Sequence, residues 1–230
     1  MLQAITAIIC EIIVAAAAPA AFIPSGPTSR KSRAILIIPA AATKTRGDLV
    51  SPTPRNMAAI TLYATMNGSP RKQNTAAMVE AFAEGAKAAG HEVETIQVGK
   101  LKINGCLACE YCHGKGEGKC VQKDDMEKVM PAYMDCDMIV FASPIYYFDM
   151  TAQLSAAIQR VYAIGKPPKA MEAALLPSSA SPNPFEGAIA TYKNMLAFMG
   201  IEDKGIFTAA GEENGSKKKL AAIREFAKTL

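Results

Sequence analysis

The polar and cationic segment from Asn67 to Thr75 stands between an apolar run and an amphipathic helical pattern. A helix start presents backbone N–H groups without an intrahelical acceptor and carries a partial positive charge. The segment adds hydrogen-bond donors and two positive charges there, from Ser69, Arg71, Lys72, Asn74 and Thr75. This combination favours binding of a phosphate monoester. The alternative interpretation is an ordinary polar surface turn.

The helix predicted after this segment, from Thr75 to Ala89, does not cap its own N–H groups. A capping box would place Glu or Gln three residues after Thr75, where Met78 stands. Gly90 is placed to end the helix in a left-handed conformation, and a buried strand is predicted before it over 59–64. The segment lacks the glycine patterns of nucleotide hydrolases and of dinucleotide-binding proteins, so those classes are disfavoured.

A second strand, loop and helix follow downstream. The apolar run Asp137 to Ala142 predicts a strand, Ser143 to Phe148 an aromatic loop, and Thr151 to Tyr162 a helix. Ligands of open parallel sheets bind beyond the carboxyl ends of the strands, so the two loops are expected to converge on one molecule. One loop would take a phosphate and the other a flat ring. The alternative is that the aromatic side chains pack in the core.

Four cysteines within fifteen residues form the pattern C-x2-C-x2-C-x7-C, at Cys106, Cys109, Cys112 and Cys120. Soft thiolates select iron–sulfur clusters or zinc. Zinc sites more often separate two cysteine pairs, so the spacing favours a 4Fe-4S cluster. Two alternatives stay open for these cysteines: a structural zinc site and metal-free, redox-active thiols. Cys136 is expected to be buried and inert, and His113 to be a solvated bystander.

The motifs resemble those of the flavodoxin-like NADPH-dependent FMN reductase family, through Gly68–Lys72 with Asn74 and Thr75 and through Ser143–Phe148, over residues 57–230. The resemblance implies that the FMN phosphate is held by Ser69, Arg71, Gln73, Asn74 and Thr75. It implies that the isoalloxazine ring is lined by Pro144, Ile145, Tyr146, Tyr147 and Phe148. The cysteine spacing resembles that of the iron–sulfur flavoprotein branch, in which a 4Fe-4S cluster exchanges electrons with FMN.

The implied activity is electron transfer from NAD(P)H, as co-substrate, through FMN to a flavin, quinone or protein acceptor, with a 4Fe-4S cluster as an additional carrier. No catalytic side chain is assigned, because the cofactor carries the chemistry. The resemblance also implies a homodimer or homotetramer. Two other functions stay open: a non-enzymatic FMN electron carrier and a zinc-stabilised binding module.

The remaining patterns complete an α/β fold. Strands are predicted over 92–98, at a sheet edge, and over 173–176 and 205–209, with helices over 185–199 and 214–230. Five strands alternating with helices predict a flavodoxin-like, doubly wound, five-stranded parallel sheet with helices on both faces. The serine-rich loop from Pro177 to Pro184 lies at the predicted ligand edge, but no site residue is assigned there.

Charge separates an N-terminal extension, residues 1–56, from the predicted FMN-binding domain, residues 57–230. Of the chain's 25 basic and 21 acidic residues, six and two lie in the extension, so the domain is balanced at 19 of each. A balanced domain argues against nucleic acid as a partner. The extension has three interpretations: an organelle transit peptide, a false start upstream of Met57, or a weak membrane anchor. The expected location is the cytoplasm, or an organelle if the extension is a transit peptide.

Overall fold

The computed structural model describes residues 61–230. The predictions for residues 1–56, and the domain boundary at residue 57, lie outside this range and stay predictions. Among the helices of residues 61–230, none is long and apolar enough to cross a membrane.

A parallel β-sheet forms the centre of the fold. Its strands are β1 Leu62–Asn67, β2 Glu92–Ile96, β3 Met138–Pro144, β4 Glu172–Ser179, β5 Glu202–Ile206 and the two-residue β6 Ala209–Ala210. The order is β2-β1-β3-β4-β5, and every neighbouring pair is parallel, while β6 pairs with the carboxyl end of β4. This is the 2-1-3-4-5 order of the flavodoxin-like fold, so the predicted fold class is confirmed.

Helices cover both faces of the sheet. They are α1 Asn74–Ala88, α2 Met130–Asp135, α3 Ala152–Arg160, α4 Glu186–Met199 and α5 Lys217–Lys228. Met138 and Val140 of β3 pack in a cluster with α1 and α5, while Ile139 and Phe141 pack in a cluster with α2, α3 and α4. Successive residues of a strand point to opposite faces. A central strand buried on both faces therefore reads as the continuous apolar run seen in the sequence.

The ends of several elements differ from prediction. β1 and β3 continue to Asn67 and Pro144, because backbone pairing carries each strand past the apolar residues that signal it. β5 begins three residues earlier than predicted, since its first residues are charged and exposed at the edge of the sheet. The predicted end of α1 is confirmed: Gly90 has φ +96°, and His91 N–H donates to Ala86 O at 3.1 Å.

Candidate functional site

A cavity of about 250 Å³ opens at the carboxyl ends of β1, β3 and β4. It brings together eight of the ten residues expected to bind FMN: Ser69, Arg71, Gln73, Asn74, Thr75, Pro144, Ile145 and Tyr146. The other two, Tyr147 and Phe148, do not line it. The two loops predicted to converge therefore do so, as the topology of a parallel sheet requires.

Backbone hydrogen bonds and close packing fix the loop between β1 and α1. Gly68 N–H donates to Ala142 O of β3 at 2.8 Å, and Gly68 O accepts from the Thr151 hydroxyl at 3.0 Å. Below the loop, an added Cβ on Gly99 would lie 2.5 Å from Gly68 O. Only glycine permits so close an approach of two backbones.

The first turn of α1 presents donors toward the cavity. The N-cap residue Gln73 makes no side-chain cap hydrogen bond, and no acidic residue lies in the first turn. Ala77 N–H bonds Gln73 O at 3.0 Å, so the N–H groups before it have no intrahelical acceptor. Arg71 adds an exposed guanidinium whose Nη2 donates to the Tyr146 hydroxyl at 3.4 Å. This contact joins the loop between β1 and α1, residues 68–73, which we call the phosphate loop after its predicted ligand, to the aromatic loop.

Two hydroxyls expected to hold phosphate already have partners in the protein. Ser69 Oγ donates to Arg71 O at 2.9 Å and accepts from Arg71 N–H at 3.2 Å. Its hydroxyl therefore shapes the loop. Thr75 Oγ1 lies 2.7 Å from Ser178 Oγ, and both side chains are buried. Because one hydroxyl donates to the other, one proton of this pair stays free to reach an anion in the cavity.

The aromatic loop after β3 is exposed. Tyr147 and Phe148 are 98% and 67% exposed, so the core-packing alternative is wrong for them. Both residues have positive φ, 52° and 72°, a conformation that side-chain-bearing residues seldom adopt. Ile145 N–H donates to Ser178 O at 2.7 Å, and an added Cβ on Gly187 of α4 would lie 2.5 Å from Phe148 O. Neighbouring backbone on two sides therefore holds the loop in this strained shape.

β4 and the loop that follows it also line the cavity, although no site residue was predicted there from the sequence. Ser178, Ser179, Ala180 and Ser181 all line the cavity. Ser181 N–H donates to Ser179 Oγ at 3.1 Å, and Asn214 Nδ2 donates to Ser179 O at 2.6 Å. The signal in the sequence was a run of serines directly after a predicted strand at the ligand edge.

The cysteine loop, residues 105–123, exposes two of its four thiols. Cys106 and Cys109 are exposed, Cys120 is half-buried and Cys112 is buried, and all are free thiols. Within the described range, no three histidine, cysteine or carboxylate side chains are grouped so that they could hold a metal. Four thiols in one loop suit a soft metal, but their sulfur atoms are not yet grouped around one point. The four-cysteine ligand set stays a prediction.

The tip of the loop packs on the turn that continues α3, residues 161–164. His113 Nε2 lies 2.9 Å from Tyr162 O, and the two rings meet edge-on with centroids 4.5 Å apart. Tyr162 donates its hydroxyl to Glu110 at 2.9 Å. His113 is exposed, as expected, and it also helps to anchor the tip. Cys136 lies apart, fully buried, and burial raises its pKa to about 12, as expected of an inert thiol.

The sheet order and the cavity at its switch point define a flavodoxin-like α/β protein with a pocket lined by hydrogen-bond donors and one guanidinium. Residues 62–208 match the NADPH-dependent FMN reductase family, and the chain belongs to that family. FMN is thus the cofactor that the family membership implies.

Two curated relatives are iron–sulfur flavoproteins. An iron–sulfur flavoprotein of Archaeoglobus fulgidus is 39% identical over 102 residues, 44% of this chain and 46% of that protein. An iron–sulfur flavoprotein of Methanocaldococcus jannaschii is 39% identical over 107 residues, 46% and 54% of the two chains. The match thus spans about half the length of these relatives. An azoreductase structure from Bacillus anthracis strain Sterne, 17% identical, covers 74% of this chain and 98% of its own with TM-score 0.57, which supports the fold alone.

Proposed function

We propose that this protein is an FMN-dependent oxidoreductase that takes electrons from NAD(P)H and delivers them to a flavin, quinone or protein acceptor. The convergence of eight expected cofactor residues on one cavity carries the proposal. Family membership gives independent support. Bound FMN accepts a hydride and releases electrons singly or in pairs.

The residues of the cavity have distinct tasks in this proposal. Arg71, Asn74 and the N–H groups of α1 hold the phosphate, and the free proton of the Thr75–Ser178 pair adds a further donor. Gln73, at the N-cap, is exposed beside them. A helix N-terminus and a guanidinium together stabilise a dianion without any acidic side chain to repel it.

The ring side of the cavity is lined by Pro144, Ile145 and Tyr146. Tyr147 and Phe148 stand beyond the cavity as an exposed aromatic pair, with ring centroids 6.0 Å apart. Exposed aromatic side chains beside a site are typical of surfaces that another chain covers. They support the expected homodimer or homotetramer as part of this proposal.

The four cysteines, Cys106, Cys109, Cys112 and Cys120, would hold a 4Fe-4S cluster, which supplies a one-electron store. Two relatives described as iron–sulfur flavoproteins, each 39% identical over the matched residues, support this part. The loop is tied at its tip through His113 and Glu110, which limits the positions that the thiols can take before a metal gathers them.

A flavin titration tests the phosphate assignment. The Arg71→Ala variant should weaken FMN binding about ten- to a hundredfold, because a charge-assisted hydrogen bond to the phosphate is lost. Riboflavin, which has no phosphate, should bind the variant and the wild-type protein equally. Lys72→Ala removes a neighbouring exposed cation and is the matched control. Equal FMN affinity of Arg71→Ala and wild type would remove Arg71 from the site.

Anaerobic purification separates the remaining alternatives. Flavin absorbance with about four irons and four sulfides per chain would support the cluster. Flavin without metal would indicate a reductase with free thiols, and zinc without flavin would indicate a binding module. Anaerobic mixing with NADPH or NADH should reduce bound FMN, which is measured as the loss of its visible absorbance. A flavin that neither nucleotide reduces would point to the carrier alternative.

A further inference from the structure

The two ends of the cysteine loop meet at Asp124 and Arg160. Asn104 precedes the loop, and its N–H donates to Asp124 Oδ2 at 3.0 Å. Arg160, the last residue of α3, donates from Nη1 to Asn104 O at 3.0 Å. Residues 104 and 124 are thus tied together and form the neck of the loop, and all four cysteines of the motif lie between them.

The tie is a buried ion pair. Arg160 Nη1 lies 2.7 Å from Asp124 Oδ2, with the side chains 2% and 7% exposed. Removing charges from water is costly unless they are paired and hydrogen-bonded, so such a pair holds one specific geometry. Asp124 also accepts from Met126 N–H at 3.1 Å, which fixes the turn that follows the loop.

One donor of this pair remains unused within the protein. Arg160 Nε is buried without a hydrogen-bond partner. Buried N–H groups are rarely left in this state. Arg160 and Cys120 line the same cavity of about 370 Å³.

We propose that Arg160 is the positioning residue for Cys120: it closes the neck of the cysteine loop through Asn104 and Asp124 and offers its remaining N–H to the Cys120 sulfur. A thiolate ligand is then held in place before the other three cysteines close on a metal. Donors to ligand atoms orient metal ligands in this way. The inference rests on the proposed metal binding by the four cysteines.

The placement of Arg160 also relates the two sites. The N-cap of α3 is Thr151, whose hydroxyl donates to Gly68 O in the phosphate loop. The opposite end of the same helix is Arg160. With 9 residues, α3 is about 13 Å long. One rigid helix therefore sets the distance between the flavin pocket and the neck of the cysteine loop.

Cobalt(II) titration of the reduced, full-length chain tests the proposal, because tetrahedral thiolate coordination gives intense visible bands. Arg160→Met should lower Co²⁺ affinity about tenfold or more. Arg160→Lys, which keeps the charge beside Asp124, should recover part of it. Arg224→Met is the matched control, since it breaks an exposed pair with Glu84 far from the loop, and its affinity should equal that of wild type.

Two further readouts make the outcome decisive. FMN affinity should be unchanged in every variant, which shows that the fold persists. Hydrogen exchange of residues 101–124 in the metal-free chain should accelerate in Arg160→Met and not in Arg224→Met. Wild-type Co²⁺ affinity in Arg160→Met, or unchanged exchange, would overturn the role of Arg160. A wild-type chain that gives no thiolate–cobalt bands would instead overturn metal binding itself, and this inference with it.

Discussion

The proposed flavin pocket and the cysteine loop are supported in different ways. Three parallel strands end at the pocket, and backbone hydrogen bonds and close glycine packing hold its loops. The cysteine loop is tied at its neck by Arg160 and Asp124 and at its tip by His113 and Tyr162. The pocket is therefore formed before its ligand arrives, whereas the thiols still have to be gathered.

The chemistry of the two ligands explains this difference. Neutral N–H groups and one guanidinium can converge without repelling one another, so an anion site can exist empty. Four thiolates brought together without a metal would repel and shift each other's pKa values. Metal binding supplies the free energy that gathers such ligands. The cysteine loop is held at its neck, so its thiols can move together when a metal binds.

The largest effect is expected from Gly99→Ala. Its Cβ would collide with the backbone of Gly68 and Ser69, which cannot move without opening the phosphate loop. The free energy of unfolding should fall by about 3 kcal/mol, and FMN binding should be lost. Gly105→Ala in the cysteine loop is the control, since its Cβ would meet only the flexible end of Gln159. Urea unfolding and FMN titration measure both. Equal stability of the two variants would contradict the view that close backbone packing holds the pocket but not the cysteine loop.

A smaller effect is expected from the cysteines, and it should depend on metal. In the metal-free chain, Cys112→Ser places a hydroxyl in a buried position and should cost about 1–2 kcal/mol. Cys109→Ser changes an exposed residue and should stay within about 0.5 kcal/mol.

Addition of Zn²⁺ should raise the melting temperature of the wild-type protein and of neither cysteine variant. Thermal unfolding with and without Zn²⁺ measures this. If the Cys109→Ser chain gains as much stability from Zn²⁺ as the wild type, the four-thiol set is wrong.

The smallest effect concerns pH and the neck of the loop. Burial raises the pKa of Asp124, but hydrogen bonds from Arg160, Asn104 and Met126 outweigh it, so the folded pKa lies below the ordinary value. Between the folded pKa and the ordinary pKa of Asp124, the unfolded chain therefore binds more protons than the folded chain. The stability contributed by Asp124 is complete above about pH 4 and is lost as the pH falls through the folded pKa.

The measurement is the free energy of unfolding of the metal-free chain between about pH 2 and pH 6. Asp124→Asn should show a shallower fall in acid than the wild type. Asp135→Asn, which alters an exposed ion pair with Lys169, should keep the wild-type slope. Parallel curves for Asp124→Asn and wild type would show that the neck does not depend on this carboxylate.

Sequence patterns predicted the central strands and the residues of the phosphate loop, because both signals are local. β3 is buried on both faces and reads as an unbroken apolar run, and the polar loop follows directly after β1. The start of β5 was missed because charged residues of an exposed edge strand resemble a loop. The orientation of Tyr147 and Phe148 could not be predicted either, since aromatic residues after a buried strand are equally suited to the core.

The sequence by itself determined the α/β alternation, the order of the two ligand loops and the presence of four thiols in one loop, because each is written in residues close together in the chain. Only the tertiary structure decided that Ser178 bonds Thr75 across 103 positions, and that Arg160 pairs with Asp124 across 36. Such contacts depend on strand order and register, which place distant residues side by side. No local pattern carries that information.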